Sequence, residues 1–303
     1  MAPPLSSTSI AGSLPKPGRL SETNKLWPQW KAEGAELAQA KADATLLWIK
    51  AQEDAGLDVM GDGEQSRQHF VHGFLEQVEG IDFGHKVKMG IRDNRYDAMV
   101  PQVVSALRLR GRVHAAEAQP PRAHTTRKIK FDEPAFNVYM KDAAQWGVQT
   151  LERAAQGLTC TTAVHICYGY GIQANNDWKS PLGQEWRQYE AVFPALAKSA
   201  IQQVSLECYQ SHVSPHLTAL LEGKDVMVGV IDVASSEIET PEQVADTIGQ
   251  ALQYVPKNRL LACTNCGLAP MDRDVAVKKL QALVQGAALA RQRYGATVPE
   301  AAP

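Results

Sequence analysis

The sequence has no strong excess of charge of either sign. Its 303 residues include 31 lysines and arginines against 33 aspartates and glutamates, which gives a net charge of −2. A nucleic-acid-binding protein normally needs a concentrated basic surface, so we expect no nucleic-acid partner. The chain also lacks an apolar run of about 18 residues, the length that a membrane-spanning helix needs. We therefore expect no membrane partner.

Two further features are scarce or missing. The first ten residues, MAPPLSSTSI, lack the charged head and the apolar stretch of a secretory signal, so we expect a cytoplasmic protein. Cysteine occurs only five times, and in the cytoplasm such residues favour metal binding or catalysis over disulfides. No glycine-rich phosphate loop follows the first predicted strand, which argues against a dinucleotide-binding open sheet.

What the sequence does have is a regular alternation of strands and helices. Short apolar segments typical of buried parallel strands are SSTSI, LDVM, TTAVHIC, QQVSLEC, DVMVGVID and RLLAC. Helical spacing predicts helices over 33–55, 136–156, 185–200, 217–222, 240–254 and 272–293. This pattern predicts an α/β protein, a (β/α)8 TIM-type barrel forming one domain over residues 1–303. Residues 80–126 read as a long excursion with a small hairpin around VHAAEA.

Residues suited to metal binding fall where three of these strands end. His165 and Cys167 lie on one strand, Glu207 ends the next, and Cys266 follows the last. Barrel enzymes keep their active sites at the carboxyl ends of the strands, so these side chains can meet. Two thiols, an imidazole and a carboxylate make a tetrahedral ligand set for zinc. The alternative is that the cysteines are small buried hydrophobic residues.

The other cysteines have simpler interpretations. Cys263 forms a C-x-x-C pair with Cys266, and we expect it to point into the packing between strands. We expect Cys160 and Cys208 to be structural. Zinc held by two thiolates and a carboxylate carries a net charge of −1, which makes it a poor Lewis acid for carbonyls. Such a centre suits the binding and activation of another thiol, and the natural reaction is thiolate alkylation.

The three ligand-bearing segments, AVHICYGY, VSLECYQ and ACTNCGL, resemble the catalytic barrel of cobalamin-independent methionine synthase. The resemblance implies an enzyme that methylates the zinc-bound thiolate of homocysteine to give methionine. It implies that Zn²⁺ is held by His165, Cys167, Glu207 and Cys266. The segments IAGSLPKP, GLDVMGDGEQSR and FDEPAF are similar to the homocysteine-binding segments of that family. The substrate-binding residues implied by these matches are Gly12, Ser13, Glu64 and Asp132.

The sequence departs from the family at two places. Between Phe131 and Asp132 the family has a further strand, helix and strand, so either the barrel is rearranged or one β/α unit short, or a segment is missing from the sequence. The family also has a histidine, a proton donor, where this chain has Ala234, although Asp232 remains as a candidate catalytic residue. The departures leave methyl-folate and methylcobalamin both open as donors, and a partner protein could deliver the methyl group.

Two other functions remain open at this point. The first is a zinc-dependent alkyltransferase of the same architecture that acts on a different thiol. The second is a non-catalytic subunit that binds zinc or thiols. The amino-acid pocket discriminates the first from homocysteine methylation: Glu64→Gln should weaken homocysteine binding strongly, and it should matter little if the substrate is a different thiol such as a thiol cofactor.

Overall fold

The computed structural model describes residues 5–23, 28–68, 75, 78–91, 96–110, 128–129, 146–170 and 177–295. The strands are β1 (Ser7–Thr8), β2 (Val59–Met60), β3 (Val78–Ile91), β4 (Tyr96–Leu109), β5 (Lys128–Ile129), β6 (Ala163–Ile166), β7 (Gln203–Glu207), β8 (Asp225–Ile231) and β9 (Leu260–Thr264). The helices are α1 (Gly34–Ala55), α2 (Val148–Ala155), α3 (Phe193–Lys198), α4 (Pro241–Ala251) and α5 (Arg273–Tyr294). Short 3₁₀ turns cover Ser180–Leu182, Gln188–Ala191, Pro215–Leu221 and Lys257–Arg259.

The parallel strands form the wall of a TIM-type barrel. Five of them lie in the order β1–β9–β8–β7–β6, and β2 and β5 form a second parallel pair. The first strand pairs with the last, as closure of a barrel requires. Side chains also join β1 to the start of β2, because the amide and hydroxyl groups of Thr8 donate to Asp58 at 2.9 and 3.0 Å. The predicted α/β barrel is therefore confirmed.

Closure of the barrel places the carboxyl ends of β6, β7, β8 and β9 next to one another. These strands are buried along almost their whole length, which explains their continuous apolar sequences. The long helix α5 packs against both α4 and α1 on the outside. Residues that leave the strand ends therefore lie on one rim of the barrel.

Capping residues determine where several helices begin or end. Gly56 closes α1 in the left-handed conformation, with φ of 88°, and its amide donates to the carbonyls of Gln52 and Glu53. Thr240 and Gln243 form the predicted capping box at the start of α4. Within the described part of the chain, no helix combines the length and the apolar character that a membrane crossing needs.

Some predicted elements were wrong in extent. The helix expected over 185–200 is divided into the 3₁₀ turn Gln188–Ala191 and α3, because Pro194 lacks the amide hydrogen that a continuous helix needs. The segment 217–222 lies in a 3₁₀ turn and not in an α-helix. Of the helix expected over 136–156, residues 148–155 are helical, and residues 136–145 lie outside the described residues.

The excursion at 80–126 contains a larger element than the expected small hairpin. Strands β3 and β4, each of 14 residues, pair in antiparallel fashion with irregular register near Ile81 and Asp82. Apolar side chains are exposed on both faces of this hairpin, with Val103 and Val104 at 65% and 63% exposure. A strand with one buried face has apolar and polar residues in alternation along its sequence. Because neighbouring residues point to opposite faces and apolar residues occur on both, the sequence of this hairpin does not show that alternation. The segment VHAAEA lies outside the described residues.

Candidate active site

Three of the four predicted metal ligands converge on the barrel rim. His165 lies on β6, Cys167 follows that strand directly, and Cys266 lies just beyond the end of β9. One ligand atom from each residue lies within 4.8 Å of the others. The two cysteine sulfurs are 3.4 Å apart although the residues are 99 positions apart in the chain. Barrel closure, and not local sequence, therefore creates this group.

The geometry and chemistry of the group fit zinc. Tetrahedral zinc with Zn–S bonds of about 2.3 Å holds two sulfurs about 3.8 Å apart, close to the distance between Cys167 and Cys266. The contact with Cys266 and the burial of the thiol raise the pKa of Cys167 well above its ordinary value. Two adjacent thiolates repel each other strongly unless a cation lies between them. The group is therefore suited to a soft or borderline dication, for which zinc is the common choice.

Neighbouring residues orient these ligands. Ser205 Oγ, on β7, lies 3.0 Å from His165 Nδ1, so we assign Nε2 as the nitrogen that faces a metal. Asn265, buried just before Cys266, joins three strand ends. Its amide donates to the Ile231 carbonyl at 2.9 Å, and its side chain donates to the Tyr209 carbonyl at 2.6 Å. These contacts fix the turn that carries Cys266.

Glu207, the fourth predicted ligand, is fully buried at the end of β7 and is not a member of the three-residue group. Its carboxylate accepts hydrogen bonds from the amide of Tyr168 at 2.6 Å and from the hydroxyl of Tyr189 at 3.3 Å. The hydroxyl of Tyr170 also donates to it. Burial raises the pKa of Glu207, and the hydrogen bonds from Tyr170 and Tyr168 oppose the shift. The tyrosines therefore hold a carboxylate beside the ligand group.

A pocket of about 390 Å³ lies on the same rim. Its lining includes Ser13 and Lys16 from the turn after β1, Glu64 from the turn after β2, and Asp272 and Arg273 at the start of α5. Glu64 is 4% exposed, with a backbone φ of 55° that is unusual for a residue with a side chain. The pocket thus presents both signs of charge to a small molecule.

The pocket adjoins the ligand group through Ser13. The amide of Leu268 donates to the Ser13 carbonyl at 2.7 Å. A Cβ atom on Gly267 would lie 2.6 Å from Ser13 Oγ and 2.9 Å from Ser13 N, so only glycine fits here. Because Gly267 follows Cys266 directly, a molecule that contacts Ser13 lies close to the metal ligands.

The remaining predicted residues have different positions. Gly12, with φ of 82°, forms the turn that carries Ser13. Asp132 lies outside the described residues. Asp232, half-buried after β8, accepts a hydrogen bond from the amide of Ala234 at 2.8 Å. Roles for Gly12, Asp132 and Asp232 stay predictions.

The five cysteines are all described, and no disulfide joins them. Cys263 is buried in a cluster with Met227 and Leu261, as expected for a residue in the strand packing. Cys208 is also buried. Cys160 is exposed in the segment before β6, so the structural role expected for it was wrong.

The sequence alone did not indicate the tyrosines around Glu207 or the position of Lys16. Tyr168 and Tyr170 stand beside Cys167 in the motif CYGY, so their closeness to the ligands was visible in principle. Tyr189 comes from a 3₁₀ turn between strands, and nothing in its local sequence points to Glu207.

The fold and the site together define a class: barrel enzymes with two cysteines and a histidine at the strand ends that could hold a metal ion. The chain belongs to the family described as the catalytic domain of cobalamin-independent synthase, whose model matches residues 5–132 and 91–289. It is also similar to the structure of a B12-independent methionine synthase from Shewanella sp. W3-18-1 in complex with selenomethionine. That similarity has 45% identity and a TM-score of 0.92, and it covers 97% of this chain and 100% of that one.

Two more distant proteins are also similar to the chain. The methionine synthase of Saccharolobus islandicus strain Y.N.15.51 is 26% identical over 337 residues, which cover 95% of this chain and 96% of that protein. Since the chain itself has 303 residues, the archaeal protein has residues with no counterpart here. A putative B12-independent methionine synthase structure from Listeria monocytogenes, at 14% identity and a TM-score of 0.59, shares the fold.

Proposed function

We propose that the protein transfers a methyl group to homocysteine and forms methionine, as a single barrel domain over residues 1–303. The observation that carries the proposal is the convergence of His165, Cys167 and Cys266 next to a pocket that presents Glu64. Family membership and the similarity to methionine synthases support the same reaction.

The ligand set is proposed to hold Zn²⁺, with Glu207 as the fourth ligand. When bound, zinc would keep the homocysteine sulfur deprotonated near neutral pH, well below the ordinary thiol pKa of about 8.5. Glu207 would complete the set in the absence of substrate. The hydroxyls of Tyr170 and Tyr189 would hold its carboxylate, shielded from water, if the substrate sulfur took its place.

The amino-acid part of the substrate is proposed to bind beside Ser13. Glu64 and Asp132 would hold the ammonium group, and Gly12 and Ser13 would position the main chain of the amino acid. This fixes the sulfur in front of the methyl donor and supplies acceleration through orientation. A new S–CH₃ bond forms while the bond between methyl and donor breaks, and the donor keeps the electron pair.

The donor is proposed to be a methyl-folate or methylcobalamin, taken up directly or delivered by a partner protein. A methyl-folate needs a proton at its leaving nitrogen, and the chain has Ala234 where the family has a histidine. Asp232 is the titratable residue nearest in sequence to that position and is proposed as the catalytic group on the donor side. Methylcobalamin would need no such proton.

The test is methionine formation from homocysteine, with methyl-folate and then with methylcobalamin, each with and without a zinc chelator. We expect formation with at least one donor and its loss on chelation. Cys160→Ser serves as a matched control, because Cys160 is exposed and outside the site. Full activity in metal-free protein would overturn the proposal. Alkylation of other thiols at the same rate would mean that homocysteine is not the specific substrate.

A further inference from the structure

Lys16 is a cation fixed in the wall of the pocket. Prolines at 15 and 17 flank it, which restricts the backbone on both sides. The indole of Trp48, a fully buried ring, donates to the carbonyl of Pro15 at 2.8 Å. Lys31 donates to the carbonyl of Gly18 at 2.6 Å on the other side of the turn. Lys16 therefore lines the pocket from a turn that is held at both ends.

The charges around Lys16 suit a zwitterion. Lys16 and Glu64 line the same pocket, and their attraction is one of the interactions that act on the lysine. Burial lowers the pKa of Lys16 to about 8, while Glu64 and Asp62 oppose the shift and Arg67 and Lys41 add to it. The ammonium form therefore predominates at neutral pH. An amino acid carries an ammonium and a carboxylate on one carbon, and the pocket lining carries a charge of each sign, with Glu64 also lying 3.8 Å from the buried Arg67.

We propose that Lys16 binds the α-carboxylate of the amino-acid substrate, while Glu64 holds the ammonium group. The assignment rests on the proposed function and extends it to a specificity-determining residue. Ser13 lies between Lys16 and the turn of Cys266, so an amino acid bound at Lys16 and Glu64 has its side chain within reach of the metal ligands.

Two alternatives compete with this assignment. Another cation could bind the α-carboxylate, or Lys16 could bind a carboxylate of another ligand. Arg273 also lines the pocket, but its guanidinium lies over the ring of Trp48 at 5.3 Å, which gives it a packing role. A methyl-folate donor also carries carboxylates. Each alternative predicts a different pattern of binding, and the experiment below separates them.

The experiment compares two ligands that differ only in the carboxylate. Homocysteine and 3-aminopropane-1-thiol share the thiol, the chain length and the amino group. Calorimetric titration of each ligand into zinc-loaded wild-type protein and Lys16→Met gives four affinities. We expect Lys16→Met to bind homocysteine about 10- to 100-fold more weakly, as for loss of a charge-assisted hydrogen bond. Binding of the aminothiol should stay unchanged, because it has no carboxylate to lose.

Three further variants complete the design. Lys16→Arg retains the cation and should recover most of the affinity for homocysteine. Lys41→Met removes a neighbouring positive charge outside the pocket lining and should leave both affinities unchanged. Arg273→Met tests the competing cation. Thermal unfolding of each variant shows whether the fold is retained, and a general loss of fold would lower both affinities together.

The assignment is overturned if Lys16→Met binds homocysteine as wild type does, or loses both ligands equally. It is also overturned if Arg273→Met shows the carboxylate-specific loss. A higher KM for methyl-folate in Lys16→Met, with unchanged homocysteine binding, would show that Lys16 binds the methyl donor and not the α-carboxylate. If wild-type protein binds the aminothiol but forms no methionine with either donor, the proposed function fails separately.

Discussion

The candidate metal site and the pocket are built in different ways. The proposed metal ligands lie far apart in the chain, between His165 and Cys266, and meet because the strands that carry them belong to one parallel sheet. The pocket residues Ser13, Lys16 and Glu64 lie on two turns, and those turns depend on backbone conformations with positive φ, at Gly12 and at Glu64 itself. The first site depends on the order in which the strands pair, and the second depends on two turns of fixed local conformation that tertiary packing brings together.

This difference predicts that the two sites can be altered separately. Changes at the ligand group should affect metal content, and changes at the pocket should affect substrate affinity while the metal stays bound. Gly267 and Ser13, which touch where the two sites join, are the exception. The following predictions test this division, beginning with the largest effect.

Cys266→Ser should lose zinc and reduce methionine formation by more than about 100-fold, because loss of a direct ligand exceeds loss of a residue that only orients one. Metal analysis and the methionine assay measure the two effects. Retention of stoichiometric zinc and of activity would show that Cys266 is not a ligand. Cys160→Ser should match wild type in both measurements.

Glu64→Gln should weaken homocysteine binding by about 10- to 100-fold, since a neutral amide replaces a carboxylate that holds the ammonium group. The zinc content should not change. Binding of 4-mercaptobutanoate, which lacks the amino group, should be the same in wild type and variant. An equal loss for both ligands would mean that Glu64 supports the turn and not the substrate.

Ser205→Ala should lower zinc affinity by about tenfold, because Ser205 fixes the ring of His165 through a 3.0 Å contact. Competition with a chromophoric chelator measures this affinity. The KM for homocysteine at saturating zinc should not move. A changed KM with unchanged zinc affinity would contradict the separation of the two sites.

Gly267→Ala should have the smallest effect on either affinity but should affect both sites. The added methyl group would overlap Ser13, and such overpacking typically costs about 1–3 kcal/mol of stability. Thermal unfolding should show a lower midpoint, and both zinc affinity and homocysteine affinity should fall modestly. A change confined to one site would show that the two sites are not joined at this contact.

The sequence predicted the barrel because its strands are buried and continuously apolar, as in DVMVGVID. It predicted helix ends where local chemistry decides them, as at Gly56 and at the capping box of Thr240. It also predicted which residues reach the rim, because His165, Cys167 and Cys266 lie on or next to strand ends.

The rest depends on contacts between distant segments. The β3–β4 hairpin was missed because its apolar side chains are exposed on both faces and give no clear period. The donation from Tyr189 to Glu207 joins a 3₁₀ turn to a strand end. The shared pocket of Lys16 and Glu64 requires two turns that are 48 residues apart to meet. Tertiary packing determines the hairpin, the contact of Tyr189 with Glu207 and the pocket, so a local sequence pattern does not predict them.

The central claim is that the group of His165, Cys167 and Cys266 holds zinc that can accept the sulfur of homocysteine. Zinc K-edge X-ray absorption of the zinc-loaded protein, with and without homocysteine, tests this most directly. The account predicts two sulfur neighbours at about 2.3 Å without substrate and one additional sulfur with it. An unchanged sulfur count on addition of homocysteine, or protein that binds no zinc at all, would contradict the account.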